Sequence, residues 1–229
     1  MKYIILLLFS LLVIGCGKKS SSEGSDSAAE SAEPSADAVK PVPTESPGKE
    51  PSPSSLSDAD IERLLKEAVD SESLPERDGL IYHDDKPYSG WGKEMYDSGQ
   101  AFRLGEVKEG KPDGLMIEWH QNGQKRAEGT FKDGKQDGPF KAWYENGQKM
   151  FEGTYKDGNQ VDLSTGWHEN GQKAGEGTLK DGRPHGLVKV WHENGQKLGE
   201  LKYKDGEEVS GKYWNSKGEE VDTEEEAFK

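Results

Sequence analysis

The sequence predicts an all-β repeat protein: a continuous, twisted antiparallel sheet of short β-hairpins, preceded by a short helix and a disordered tether. Three observations lead there. A glycine recurs at Gly99, Gly123, Gly147, Gly171 and Gly195, 24 residues apart each time, the last four inside Asn-Gly-Gln-Lys. A second series, Gly110, Gly134, Gly158, Gly182 and Gly206, keeps the same interval and follows Asp in every case but Gly110, which follows Glu109. Between these turns apolar and polar residues alternate with period two, the strand period, and a fixed interval of this length means stacked units.

The chain begins Met1-Lys2, followed by an apolar run from Tyr3 to Ile14 broken only by Ser10, and then Gly15-Cys16. The run is short for a membrane-spanning helix, which needs about 20 residues, and it follows a basic residue, as a secretory signal does. Val13-Ile14-Gly15-Cys16 resembles the bacterial lipobox, whose cysteine takes a diacylglycerol group. That resemblance implies residues 1–16 as a lipoprotein signal peptide and Cys16 as the lipidated residue. It implies a bacterial cell-envelope location, and outer-membrane delivery in a Gram-negative host, since Gly17 is not the aspartate associated with inner-membrane retention. Cys16 is the only cysteine of the chain, so no internal disulfide can form and thiol catalysis is excluded once it carries lipid.

Residues 17–57 are rich in Ser, Glu, Pro and Ala and lack aromatics, the composition of a disordered tether. A flexible coil of this length reaches roughly 35 Å. From Ser57 the pattern changes: Ile61, Leu64, Leu65 and Ala68 fall on one helical face, and Ser57 with Asp60 approximates a capping box. Residues 58–78 therefore read as a short amphipathic helix and junction that caps the first repeat.

Residues 79–218 are the repeat region, with two strands per unit, and residues 219–229 an acidic tail. Leu115, Ile117 and Trp119 alternate with Met116, Glu118 and His120; across the next turn Ala127, Gly129 and Phe131 alternate with Glu128, Thr130 and Lys132. Equivalent positions make two aromatic or aliphatic ladders. One is Trp119, Trp143, Trp167 and Trp191; the other is Val107, Phe131, Tyr155, Leu179 and Tyr203. Only 31% of the chain is hydrophobic, so both ladders are expected to cover one face of the sheet as its core, with Gly129, Gly153 and Gly177 making room for the rings.

The units Trp143-Tyr144-Glu145-Asn146-Gly147-Gln148-Lys149 and Glu152-Gly153-Thr154-Tyr155-Lys156-Asp157-Gly158 resemble the bacterial variant of the MORN repeat, found in proteins often labelled as YwqK-like antitoxin components of toxin–antitoxin systems. The resemblance covers about residues 79–218 and implies β-hairpin repeats, protein–protein contacts and phospholipid binding. It brings no catalytic residues and no cofactor, and a lipobox with a tether is not what a cytoplasmic antitoxin needs.

The net charge of −14 sits mainly in the flanks. Residues 58–78 and 219–229 each carry −5, whereas residues 79–218 carry only −2, so the sequence offers no basic stripe for nucleic acid. His120, His168 and His192 share one repeat position, but residues two strands apart lie about 9.5 Å from each other, too far to share a metal. Asp133 with Asp137, and Asp157 with Asp162, match no calcium-loop spacing and read as turn residues. The expected function is binding without catalysis by a membrane-anchored protein. An unknown protein or envelope polymer is the expected partner, and an antitoxin-like inhibitor or a phospholipid- or glycan-binding module are the alternatives; the oligomeric state is open.

Overall fold

A computed structural model describes residues 56–229. The expected signal peptide with Cys16, and the tether as far as residue 55, lie outside the described residues. Helix α1 (Asp58–Glu67) leads into β1 (Val69–Asp70), β2 (Glu76–Arg77), β3 (Leu80–His83), β4 (Lys86–Pro87), β5 (Gly90–Met95) and β6 (Ala101–Lys108). The regular strands follow: β7 (Lys111–Trp119), β8 (Lys125–Lys132), β9 (Lys135–Trp143), β10 (Lys149–Lys156), β11 (Asn159–Trp167), β12 (Lys173–Lys180), β13 (Arg183–Trp191), β14 (Lys197–Lys204) and β15 (Glu207–Trp214). The chain closes with β16 (Glu220–Val221) and helix α2 (Glu224–Ala227). Strands β5 to β16 pair in chain order into one antiparallel ribbon, which β1 extends in parallel to make 13 strands. The opening segment departs from the expected continuity, because β2, β3 and β4 form a separate small sheet. It is tied to the ribbon where the Ile81 N–H donates to the Gly110 carbonyl and the Gly110 N–H to the Tyr88 carbonyl.

Ser57 caps α1 as expected: its hydroxyl accepts from the Asp60 N–H at 3.2 Å and donates to the Asp60 carboxylate at 2.6 Å. Leu56, placed in the tether by composition, already belongs to the folded unit, because with Ile61, Leu64, Leu65 and Ala68 it packs against Leu104, Trp91 and Trp119. The acidic C-terminal segment is likewise folded. Thr223 caps α2 by accepting from the Glu226 N–H, and Ala227 is buried against Val188, Val190, Leu198, Leu201 and Tyr203.

The two turn dipeptides use different backbone solutions. In each Asp-Gly turn both residues have positive φ, as at Asp133 (50°) and Gly134 (83°), the two-residue turn that matches strand twist. In the Asn-Gly turns only the glycine does, so a type I turn is followed by a left-handed glycine. The His120 N–H donates to the Gln124 carbonyl and the Gly123 N–H to the His120 carbonyl. At Gly147 φ is 81° and an added Cβ would stand 2.6 Å from Gln124 Oε1 of the preceding turn. Gly147→Ala is therefore expected to lower stability by about 1–2 kcal/mol, read as a lower denaturant midpoint at unchanged slope.

The expected single core face requires correction. A register shift between Glu118 and Trp119 leaves Trp119 opposite Lys125 but Glu118 opposite Ala127. Similar shifts recur beside Trp143, Trp167 and Trp191. Each shift sends the tryptophan to one face of the ribbon and the Val107–Phe131–Tyr155–Leu179–Tyr203 ladder to the other. The inner face carries two buried clusters, Phe140, Ala142, Phe151 and Tyr155 in one and Val188, Val190, Leu201 and Tyr203 in another, while a third, Leu64 and Ala68 of α1 on Leu104, covers the first strands of the tryptophan face. Its main contacts join successive strands, so these rings are shielded by each other as bulges bend the single layer: Phe140 lies 6.2 Å from Phe151 and 5.7 Å from Tyr155, centroid to centroid. Gly129 has its expected role, since a Cβ there would stand 2.7 Å from Phe140 Cδ2.

Candidate functional site

The outer face is the surface this architecture leaves for contact. Its tryptophans are half-buried, and four of them are gripped by a lysine of the preceding unit: Lys125 Nζ lies 5.7 Å from the Trp143 ring centroid, Lys149 5.0 Å from Trp167, Lys173 5.4 Å from Trp191 and Lys197 5.0 Å from Trp214. A cation over an indole is worth about 0.5–1 kcal/mol at exposed sites, so each such pair also fastens one repeat to the next. The same lysines pair with carboxylates, Lys149 with Glu152 at 2.7 Å and Lys197 with Glu200 at 2.8 Å.

Strand alternation and register place two further lysine rows on this face. One row is Lys141, Lys189 and Lys212, directly opposite Glu128 or Glu152, Glu176 or Glu200, and Glu200. The other is Lys132, Lys156, Lys180 and Lys204, all exposed near the Asp-Gly turns. Lys156 donates to Asp137, and that bond together with the Asp157 N–H holds the Asp137 carboxyl below its ordinary range. An aliphatic row, Leu115, Pro139, Leu163 and Leu187, completes the face, with Leu163 59% and Leu187 49% exposed. Carboxylates line the two turn edges, at Asp133, Asp157, Asp181 and Asp205 on one side and Glu145, Glu169 and Glu193 on the other, and the row Glu128, Glu152, Glu176 and Glu200 stands on the face among its more numerous lysines. An even overall balance thus conceals a lysine-rich face.

The Asn-Gly edge is held by a ladder that the sequence did not disclose. Nδ2 of Asn122, Asn146 and Asn170 donates to the carbonyl of Glu145, Glu169 and Glu193, one unit on, at 2.7, 2.9 and 2.6 Å. Beside it the His/Tyr position is a structural donor. His120 Nε2 meets the Trp143 carbonyl at 2.9 Å, Tyr144 OH donates to the Trp167 carbonyl at 2.8 Å, and His168 and His192 repeat the contact with Trp191 and Trp214. A carbonyl only accepts, so Nε2 must carry a proton, and phenol and imidazole are interchangeable here. His168→Tyr is expected to retain stability. His168→Phe is expected to cost about 1–3 kcal/mol by stranding the Trp191 carbonyl, as thermal melts of the two variants would compare.

Of the four aspartates read as turn residues, Asp133 and Asp157 do sit in Asp-Gly turns with φ of 50°, whereas Asp162, with φ of 59°, lies inside β11 and Asp137 lies in β9, where it pairs with Lys156. A cleft of about 280 Å³ opens at the last turns, lined by Lys180, Asp181, Arg183, Pro184, His185 and Asp205. His185 Nδ1 and Asp205 Oδ1 are 3.8 Å apart there, beyond hydrogen-bond reach.

Such an arrangement defines a β-ribbon repeat protein, in which each unit buries its inner face only by stacking on its neighbours. Within that class, three segments, residues 112–133, 136–157 and 184–205, match the MORN repeat variant. The matches leave out residues 160–181, where Asp162 replaces Gly138 and Gly186, Ser164 replaces Phe140 and Val188, and Thr165 replaces Lys141 and Lys189. No curated protein matches the chain.

Proposed function

We propose that the protein is a lipid-anchored component of a bacterial envelope that binds a protein or an envelope polymer through the outer face of its repeat ribbon, without catalysis. The observation carrying the binding reading is the outer face itself. Beyond its first strands, where α1 packs on Leu104 and Trp119, it lies opposite the buried clusters, repeats its chemistry every 24 residues, and leaves Leu163 and Leu187 uncovered in the described chain. The anchor is supported by Lys2, the apolar run after it and Gly15-Cys16. Repeat surfaces of this kind serve extended contacts, since neighbouring units present identical groups in a line.

The test is a photo-crosslinker at position 163 in the full chain, expressed with native Cys16 and with Cys16→Ser, followed by mass spectrometry of the N-terminus and of crosslinked species. An acylated Cys16 and an envelope component crosslinked in the native chain is the expected result. An unmodified, soluble protein crosslinked to a cytoplasmic partner would overturn the anchored reading in favour of an antitoxin-like inhibitor.

A further inference from the structure

Resting on the binding reading above, we propose that the outer face is a docking track for a flexible, linear anionic polysaccharide of the envelope, its lysine rows meeting carboxylate or phosphate groups along the chain. Charge complementarity carries this assignment. The lysines converge on one face of a protein whose net charge is −14, and they outnumber the carboxylates Glu128, Glu152, Glu176 and Glu200 that share it. Among the described residues, Lys132, Lys180, Lys202 and Lys204 have no carboxylate within ion-pair distance, and all four side chains alternate onto this face beyond the Glu128, Glu176 and Glu200 positions.

Geometry distinguishes this partner from others. Equivalent residues recur two strands apart, about 9.5 Å along the ribbon, a periodicity that a polymer of repeating sugars matches and an ordinary folded protein surface does not. Neighbouring strands are rotated by roughly 20–25°, so from β8 to β15 the face turns through on the order of 150°. A flat anionic membrane meets only a few strands of such a surface, whereas a flexible chain follows it. Leu163 and Leu187, exposed beside the lysines, supply apolar contact for the C–H faces of sugar rings.

The experiment titrates fluorescently labelled polygalacturonate, a linear uronic-acid polymer, with the full chain in neutral detergent, and in parallel vesicles of phosphatidylcholine with phosphatidylglycerol. The variant carries Lys132→Glu, Lys180→Glu and Lys202→Glu. The control carries the same charge change off the face, as Lys86→Glu, Lys217→Glu and Lys229→Glu. All six side chains are exposed, and circular dichroism checks that both variants fold. The expected result is polymer binding that falls steeply with salt and is weakened at least about tenfold by the face variant, against about twofold or less by the control. Equal loss in both variants, or face-dependent binding of vesicles without binding of the polymer, overturns the inference. Absent polymer binding with the crosslink at position 163 intact overturns it while leaving the binding reading standing.

Discussion

Phe151→Ala lowers the stability of the ribbon by about 3–5 kcal/mol, the largest loss expected from any single side chain of the central repeats. Phe151 is 3% exposed and touches the inner-face residues Phe140, Tyr155 and Ala142. In a layered protein a second sheet could move in to fill part of the space. Here the cover is the bend of the same layer, fixed by bulges and by glycines such as Gly153, whose absent Cβ leaves room for the Phe151 ring: a Cβ there would stand 2.8 Å from its Cζ. The cavity therefore stays open, and the transfer and cavity losses add. Urea unfolding followed by far-ultraviolet circular dichroism measures the effect. Because repeat arrays couple mainly to nearest neighbours, the loss is expected as an earlier, broader transition of the central units, with α2 and its cluster unfolding later. A wild-type-like midpoint would show that the inner face is not the core.

The fold was readable because turn chemistry and strand alternation both follow from local backbone preference. Gly134 and Asp133 declare their turn by residue type, and Ser57 declares its cap. Which face each ladder occupies was not readable in the same way. A regular register across the Asn122-Gly123 turn would set Ile117 opposite Ala127 and bring Trp119 to the face of Phe131. One bulged residue, Arg126, shifts the register so that Ile117 faces Glu128, and that single step moves the tryptophans off the face of Phe131. Bulges carry no residue signature of their own, whereas their consequence, a Lys of one unit over the Trp of the next, needs the three-dimensional register to be seen. Charge followed the same pattern. Summed along residues 79–218 it nearly cancels, and only alternation in space sorts Lys141, Lys189 and Lys132 onto one face and Asp133 and Glu145 onto the edges. The folded C-terminus did have a signal, Thr223 three residues before Glu226, which the run of acidic residues obscured.

Glu118→Ala is expected to cost about 3–5 kcal/mol even though alanine is what the fold accepts one repeat later, at Ala142. Glu118 stands on the inner face, its side chain 4% exposed, where it takes Arg103 through both Nε and Nη2 at 2.9 and 2.7 Å. Arg103, 17% exposed, also reaches Glu94 at 3.0 Å and lies over the Phe102 ring. Removing the carboxylate takes away the two-bond partner of a mostly buried guanidinium, whose desolvation is then less well compensated. Arg103→Ala with Glu118→Ala reproduces the Ala127–Ala142 pair of the following unit, which sits in the same register and needs no ions. The double variant is therefore expected to recover at least about 1.5 kcal/mol relative to Glu118→Ala alone, a coupling that a double-mutant cycle in urea reads directly. Recovery would mean that the ion pair specifies which strands belong at the helix-capped end of an otherwise repetitive ribbon while contributing little net stability. Strict additivity of the two losses would instead mean that the charges act independently and the alanine pair cannot be transplanted between repeats.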